Sequence, residues 1–462
     1  MSVLDAHGTR ELLRKGTMSV TDHVAGTLAA IDRLDPVLGA YVAVAREDAL
    51  AAAEAADALI RRSGADAWRS WPLLGLTVSV KDLIQTECLP TSRGSLLENR
   101  RPRVDAPAVA RLKAAGAIVI GKTTTSEHGW SASTVSRVAE PTRNPWAPHL
   151  TAGGSSGGAA AAVAARLCDL ALGTDGAGSI RIPSAFCGVV GFKPSFARIP
   201  YVPPCADRLA HLGPIVTSVR DAAEVYKHAS GAHPGDPDSW GVREMPRRRR
   251  AALRVGWLEF PGTSAEVREV CERASGIFAA SEYQLERVDV PFEDTYPALV
   301  DLIAAGEAAG TDPSDEQWCD PGRLAIVHYG QTVTGKALVR AAESHLRLRA
   351  SLHALFDRYD LLAMATVPIE PFDPYAVGPA WAAEPADLQW LGWAPAVHPF
   401  NVTGHPAVSL PAGLTAAGLP VGMQLVGTLG RDEMVLTAAA GIEAELAFRQ
   451  HTPVVPIEER VQ

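Results

Sequence analysis

Two glycine-rich stretches surround serines with backbone of unusual freedom. The first is Thr151-Ala152-Gly153-Gly154-Ser155-Ser156-Gly157-Gly158, and the second is Leu172-Gly173-Thr174-Asp175-Gly176-Ala177-Gly178-Ser179-Ile180-Arg181-Ile182-Pro183-Ser184. Glycine beside a serine opens dihedrals closed to other residues and lets a ligand approach exposed N–H groups. Turns of this kind suit oxyanions. A serine hydroxyl is a poor nucleophile until a neighbouring base takes its proton, and that base must be neutral when it does so. Lysine can serve only where burial, or a partner that favours the neutral amine, lowers its pKa by several units. Lys81 closes the apolar run Leu74-Gly75-Leu76-Thr77-Val78-Ser79-Val80 and is well placed for that. Only seven of the 43 basic residues are lysines, so surface charge falls mostly to arginine and an apolar-flanked lysine stands out.

Taken together these segments resemble the amidase signature hydrolases. In that family a Gly-Gly-Ser-Ser-Gly-Gly turn carries a bridging serine, a Gly-Thr-Asp-x-Gly-Gly-Ser-Ile-Arg segment carries the nucleophile 24 positions later, and a Val-Lys-Asp step carries a lysine. Here Ser179 follows Ser155 by 24 positions, and Val80-Lys81-Asp82 supplies the lysine. The resemblance implies that Lys81 accepts a proton from Ser155, Ser155 accepts one from Ser179, and Ser179 attacks an amide carbonyl to form an acyl-enzyme. It implies a cis peptide bond at Ser155, no cofactor, and an oxyanion hole made by the N–H groups of Gly176, Ala177, Gly178 and Ser179, each such donor contributing roughly 3 kcal/mol. Ser156, Asp175 and Arg181 read as supporting residues that fix the turns by hydrogen bonds. One departure is visible: Ala177 stands where the family usually has glycine. Its methyl narrows the turn but keeps the N–H, so activity is expected to survive.

Rival readings of the same residues are weaker. Lys122 and Lys193 also follow short apolar stretches, but in Gly-Lys-Thr and Phe-Lys-Pro steps that the family uses structurally. Gly154-Ser155-Ser156-Gly157-Gly158 contains a G-x-S-x-G pattern, which would make Ser156 the nucleophile with His398 or His405 as base. That elbow follows a buried strand directly, whereas Asn144-Pro145-Trp146-Ala147-Pro148-His149-Leu150 precedes it here. A phosphate loop is discounted because no Lys-Ser/Thr follows the glycines.

The elements that must position these residues are read from periodicity. Helical patterns run over 20–34, 48–62 and 106–115, and the alanine-rich 159–167 between the serine turns reads as a tightly packed buried helix. Short apolar runs at 76–80 and 117–120 flank the third helix, and strand, helix, strand implies a parallel-rich sheet. A fresh strand is expected at 253–257, and closing strands within 400–413 and 418–427. The expected architecture is α/β: a single large domain with a mixed central sheet flanked by helices on both faces. Its parts are N-terminal helices over 1–65, a signature core over 66–230, a variable substrate-side region over 231–395, and closing strands with a C-terminal helix over 396–462.

Composition excludes several classes. A net charge of −9 and a pI near 5.8 argue against nucleic acid, and the one basic run, arginines 247–250, reads as a solvated turn. Six cysteines lack CxxC or CxxH spacing, which suggests neither a zinc site nor a disulfide framework. No run of about 18 apolar residues and no charged-then-apolar leader is present, so the expectation is a cytoplasmic protein with no membrane partner, no metal and no cofactor, acting as a monomer or homodimer on a small-molecule amide. For the pocket the candidates are Trp130, Tyr201, Leu209 and Trp393, which would favour apolar or aromatic amides. Carbamate or aryl-acylamide cleavage is the alternative within this chemistry. From another class comes the catalytic subunit of a tRNA-dependent glutamine amidotransferase. It ranks lower because that subunit needs charged groups for glutamine, and the variable half offers Trp318, Tyr329, Trp381, Trp390 and Trp393 instead. A non-catalytic binding protein on the same fold is disfavoured by the complete triad.

Overall fold

A computed structural model describes residues 4–205, 207–241, 252–280, 282–448 and 451–455. The arginine run at 247–250 lies outside the described residues. Thirteen strands are described: β1 (Tyr41–Val44), β2 (Thr77–Lys81), β3 (Ile118–Thr123), β4 (Arg143–Asn144), β5 (Ala147–Thr151), β6 (Leu170–Asp175), β7 (Val190–Lys193), β8 (His211–Val216), β9 (Leu253–Glu259), β10 (Tyr283–Asp289), β11 (Leu361–Ala365), β12 (Ala407–Leu414) and β13 (Pro420–Gly427). Eleven of them form one sheet in the order β1-β3-β2-β6-β8-β7-β12-β13-β11-β9-β10, and β4 pairs only with β5.

The sheet is less parallel than strand-helix-strand patterning suggested. β3, β2 and β6 run parallel, as do β11, β9 and β10 at the other end. From β6 through β8, β7, β12 and β13 to β11 every junction is antiparallel. A short return dictates one of these junctions, because the turn between β12 and β13 permits only an antiparallel partner. The N-terminal segment is also not wholly helical. Gly39 at φ 60° ends the helix Val20–Leu38, and β1 then pairs antiparallel with β3 at the sheet edge.

Strand alternation decides which side chains reach the site. Leu76, Val78 and Val80 enter an apolar cluster that covers one face along most of the sheet. Thr77, Ser79 and Lys81 therefore point to the other face. There two clusters meet, one built on the N-terminal helices and the helix Gly157–Ala164, the other on the helices Tyr296–Ala309 and Gly335–Arg358. Every residue of Gly157–Ala164 is buried, and small side chains let it lie close to the sheet. The helix ends sooner than its alanine pattern, with Arg166 in the left-handed region at φ 62°.

From β2 the chain passes through the helix Pro107–Ala114 to β3 on one side, and from β6 through the helix Arg181–Cys187 to β7 on the other. Connections that leave two parallel neighbours in opposite directions open a crevice at their carboxyl ends. Lys81 and Asp175 are the last residues of those two strands.

Candidate active site

Lys81 is fully buried, with Nζ 2.7 Å from Ser155 Oγ, 2.9 Å from Thr174 Oγ1 and 3.5 Å from the Thr174 carbonyl. No carboxylate lies within ion-pair distance of it among the described residues. Burial holds its pKa well below the usual lysine value, with the more distant Asp175 charge opposing. The other two buried lysines differ. Lys122 reaches the Ile84 carbonyl at 2.6 Å, Thr91 Oγ1 at 2.7 Å and Asp82 at 3.4 Å, and burial lowers it to about 8. Lys193 bonds the His405 carbonyl at 2.6 Å. Neither touches a serine of the two turns.

The first turn is held by contact with backbone. The Gly154–Ser155 peptide is cis, and a Cβ on Gly154 would fall 2.1 Å from the Ser133 carbonyl oxygen, so only glycine fits there. Ser156 ties the turn to β6, its Oγ donating to the Thr174 carbonyl at 3.0 Å and its N–H to the Ser179 carbonyl at 3.2 Å. With that hydroxyl engaged, and His398 and His405 packed against Tyr296 and Phe356, the elbow reading has no geometry behind it. A strand, β5, does precede the turn, contrary to the sequence reading, but it belongs to the small hairpin and not to the main sheet.

The second turn is organised by one ion pair with no solvent exposure. Arg181 donates from Nε to Asp175 Oδ2 at 2.9 Å and from Nη2 to Oδ1 at 3.0 Å. Asp175 also accepts the N–H of Gly178 at 2.6 Å and of Ile180 at 3.1 Å, and its neighbours hold its carboxyl well below the usual range. That corrects one expected oxyanion donor: the Gly178 N–H is turned inward to Asp175. The N–H groups of Gly176, Ala177 and Ser179 donate to no other protein group among the described residues. Gly178 sits at φ 118° with Val397 2.6 Å from where a Cβ would be, whereas Ala177 lies outside the positive-φ region. Alanine is thus tolerated at 177 and glycine required at 178.

Two partners of this network escaped the sequence reading. Asn401 donates to the Asp175 carbonyl and to Oδ1, both at 2.8 Å, and Gln424 accepts from Arg181 Nη1 at 2.6 Å. The available signal was an amide in apolar surroundings, Gln424 between Met423 and Leu425.

Ser155 and Ser179 both line a cavity of about 430 Å³, although their hydroxyls are not hydrogen-bonded to each other. Trp130, Tyr201 and Leu209 line it, joined by Leu83, Ile303 and Leu391 and by the charged Arg93, Glu98, Asp207, Glu307 and Arg323. Trp393 does not reach it: its ring stacks on Phe186 at 6.1 Å and its Nε1 donates to the Trp390 carbonyl. Trp318, Tyr329, Trp381 and Trp390 are likewise absent from the lining. The premise that this half offers aromatic groups in place of charged ones is therefore overturned. Arg323 pairs with Glu307 at 2.7 Å, whereas Arg93 lies 3.9 Å from Glu98, and among the described residues its buried Nε has no hydrogen-bond partner. No helix among the described residues is long and apolar enough to cross a membrane, and no group of three or more His, Cys, Asp or Glu residues among them could hold a metal ion.

Fold and glycine-rich serine turns define an enzyme of the amide-hydrolase class. The chain belongs to the amidase signature family: the Amidase family model matches residues 22–436. It is 35% identical over 484 residues to a glutamyl-tRNA(Gln) amidotransferase subunit from Thermus thermophilus, covering 96% of this chain and 98% of that one. It is 32% identical to 6-aminohexanoate-cyclic-dimer hydrolase of Paenarthrobacter ureafaciens, covering 97% and 96%. Among solved structures it resembles 6-aminohexanoate cyclic dimer hydrolase complexed with substrate, with a TM-score of 0.86, 27% identity and 98% of each chain covered. A bacterial aryl acylamidase matches with a TM-score of 0.85 at 25% identity, covering 97% of this chain and 99% of that one.

Proposed function

We propose that the chain hydrolyses small linear amides through an acyl-enzyme on Ser179. The observation that carries this is the 2.7 Å contact between a buried Lys81, with its pKa lowered, and Ser155 at the floor of a cavity that Ser179 also lines. Neutral Lys81 takes the proton of Ser155 as Ser155 takes that of Ser179, and Ser179 Oγ attacks the carbonyl carbon. The oxyanion is held by the uncommitted N–H groups of Gly176, Ala177 and Ser179. The proton returns from Lys81 through Ser155 to the departing amine, and water then frees the acid by the same relay. Contact between the two hydroxyls tightens when substrate fills the cavity, as catalytic hydrogen bonds commonly do.

The substrate is amphiphilic on this reading. Leu83, Trp130, Tyr201, Leu209, Ile303 and Leu391 receive an apolar or aromatic part, and Arg93 receives a carboxylate or other anionic acceptor at the far end. Similarity to both a cyclic-dimer hydrolase and an aryl acylamidase supports a free hydrolase that works without a partner subunit, with carbamates as the alternative substrate. A second reading, the amidotransferase subunit, gains from the charged cavity and the 35% identity to that relative. Assay of purified protein on anilides, aliphatic amides, carbamates and glutamine separates the readings. The proposal expects turnover of an anilide or aliphatic amide by the lone chain and a loss of about 10⁴-fold or more in Ser179→Ala. Turnover of glutamine alone, appearing only when partner subunits are added, would favour the second.

A further inference from the structure

The cavity that holds Ser155 and Ser179 carries an unbalanced charge. Glu98, Asp207 and Glu307 line it against Arg93 and Arg323. His128 is also in the lining, and burial, with the Arg323 and Arg93 charges, lowers its pKa to about 3 and keeps the ring neutral. Arg323 is matched by Glu307 at 2.7 Å, and Arg93 lies 3.9 Å from Glu98. Asp207 is left over. No Lys, Arg or His stands within ion-pair distance of it among the described residues, and the adjacent Arg208 turns away to Asp238 at 2.9 Å.

Asp207 is also placed to meet a ligand. It is half-buried, and its Oδ1 accepts the Leu209 N–H at 3.0 Å. Its Oδ2 accepts no hydrogen bond among the described residues and remains accessible. Glu307 gives Oε2 to Arg323 and keeps its other oxygen free among the described residues. Burial raises the Glu307 carboxyl, with Arg323 opposing and the Asp207 charge adding to the rise, so the two carboxylates sense each other. The loop that carries Asp207 is tied to the nucleophile turn: the Leu209 carbonyl accepts from Asn401 Nδ2 at 3.4 Å, and the same nitrogen donates to the Asp175 carbonyl at 2.8 Å. The carboxylate is thereby held in register with Ser179.

Charge and donor count select the ligand. Burial raises the Asp207 carboxyl above its ordinary value, with the Leu209 N–H opposing, and a cation beside it removes that cost. No group of three or more His, Cys, Asp or Glu residues among the described ones could hold a metal ion, which leaves an organic cation. A protonated amine offers three donors, enough for Asp207 Oδ2 and the free oxygen of Glu307.

We infer that Asp207 sets the specificity of this cavity by accepting hydrogen bonds from the ammonium group of an amino-substituted amide whose carbonyl lies at Ser179. The inference rests on the amidase reading proposed above and deepens it: besides the anion expected at Arg93, the substrate carries an amine.

The test separates binding from turnover. Ser179→Ala, which keeps the cavity and cannot be acylated, is titrated calorimetrically with ω-aminoacyl anilides of increasing chain length, each against the alkyl anilide in which methyl replaces the ammonium. N-(ω-aminoalkyl)benzamides against N-alkylbenzamides place the same charge on the amine side. At the chain length that fits, the ammonium compound should bind about tenfold or more tightly than its methyl partner, the worth of one charge-assisted hydrogen bond, although methyl is the more apolar group. Adding Asp207→Asn, which keeps the shape and the acceptor for the Leu209 N–H, should remove that preference, and Asp207→Glu should restore part of it. The inference is overturned if no pair shows the preference, if the preference survives Asp207→Asn, or if Asp207→Asn weakens both members of a pair equally, which would make the position structural. Turnover of the alkyl anilides by the wild-type chain checks the amidase reading independently: a preference without turnover would keep the role of Asp207 and sink the reaction.

Discussion

The floor and the outer wall of the catalytic cavity are built on opposite principles. On the floor Lys81, Ser156, Asp175 and Arg181 are all fully buried, and each is satisfied by protein groups around it. On the wall Arg93 is about a third exposed, its Nε lacks a partner, and Tyr201, Cys205 and Asp207 are only partly covered. A floor that satisfies itself admits one arrangement and hence one chemistry, while a wall with unspent hydrogen-bonding capacity is completed by what it binds. The lysines draw the same line. Lys122 has a carboxylate nearby and is lowered to about 8, while burial holds Lys81 and Lys193 well below the usual lysine value. Of the three, Lys81, facing hydroxyls and a carbonyl, is the one that touches a serine of the turns.

If the floor is indivisible, the largest loss should follow Lys81→Ala. A relay that serves as base and then as acid contributes about 10²–10⁴-fold, so amide hydrolysis should fall by roughly that factor. A matched ester, whose leaving group needs less protonation, should fall less. The lysine acts when deprotonated, so the wild-type rate should rise with pH through its lowered pKa and be level well before the ordinary lysine value. That acid limb should be missing from the variant. Equal losses for amide and ester would break the relay.

The second loss expected is in stability. Gly178→Ala places a methyl 2.6 Å from Val397 at a φ of 118° and should cost about 2–5 kcal/mol, read from the denaturation midpoint. A near-wild-type midpoint would show that the floor yields.

On the wall, Arg93→Ala should raise KM about tenfold or more for an amide that carries a carboxylate at its far end, the worth of one charge-assisted hydrogen bond. For the methyl ester of the same compound KM should barely move, and kcat should hold for both. Equal effects on the two compounds would remove Arg93 from substrate recognition. Smallest of all, Ala177→Gly should change stability by less than about 1 kcal/mol and leave kcat within a few-fold, because the N–H it offers is unchanged.

The floor was legible in the sequence because its constraints are local. Glycines at close approaches, serines between them and a lysine ending an apolar run are all written within short segments. What escaped lies far along the chain: Asn401 and Gln424 meet Asp175 and Arg181 across more than 200 positions, and no local pattern connects them. The wall was read less well for the same reason. Trp393 and Trp390 looked like pocket residues by type, yet burial took them into the packing behind the cavity, and the charged Arg93 and Arg323 came instead from a loop and a helix start distant in sequence. The inward turn of the Gly178 N–H, too, depends on a carboxylate whose orientation only the fold determines.

The central claim is that Ser179 is the nucleophile and that the neighbouring serines of the first turn are not. Reaction of the purified chain with a fluorophosphonate probe, followed by peptide mass mapping, tests it directly. The account predicts a single adduct on the peptide carrying Ser179, lost in Ser179→Ala. An adduct on Ser156 or Ser155 with Ser179 unmodified would contradict it.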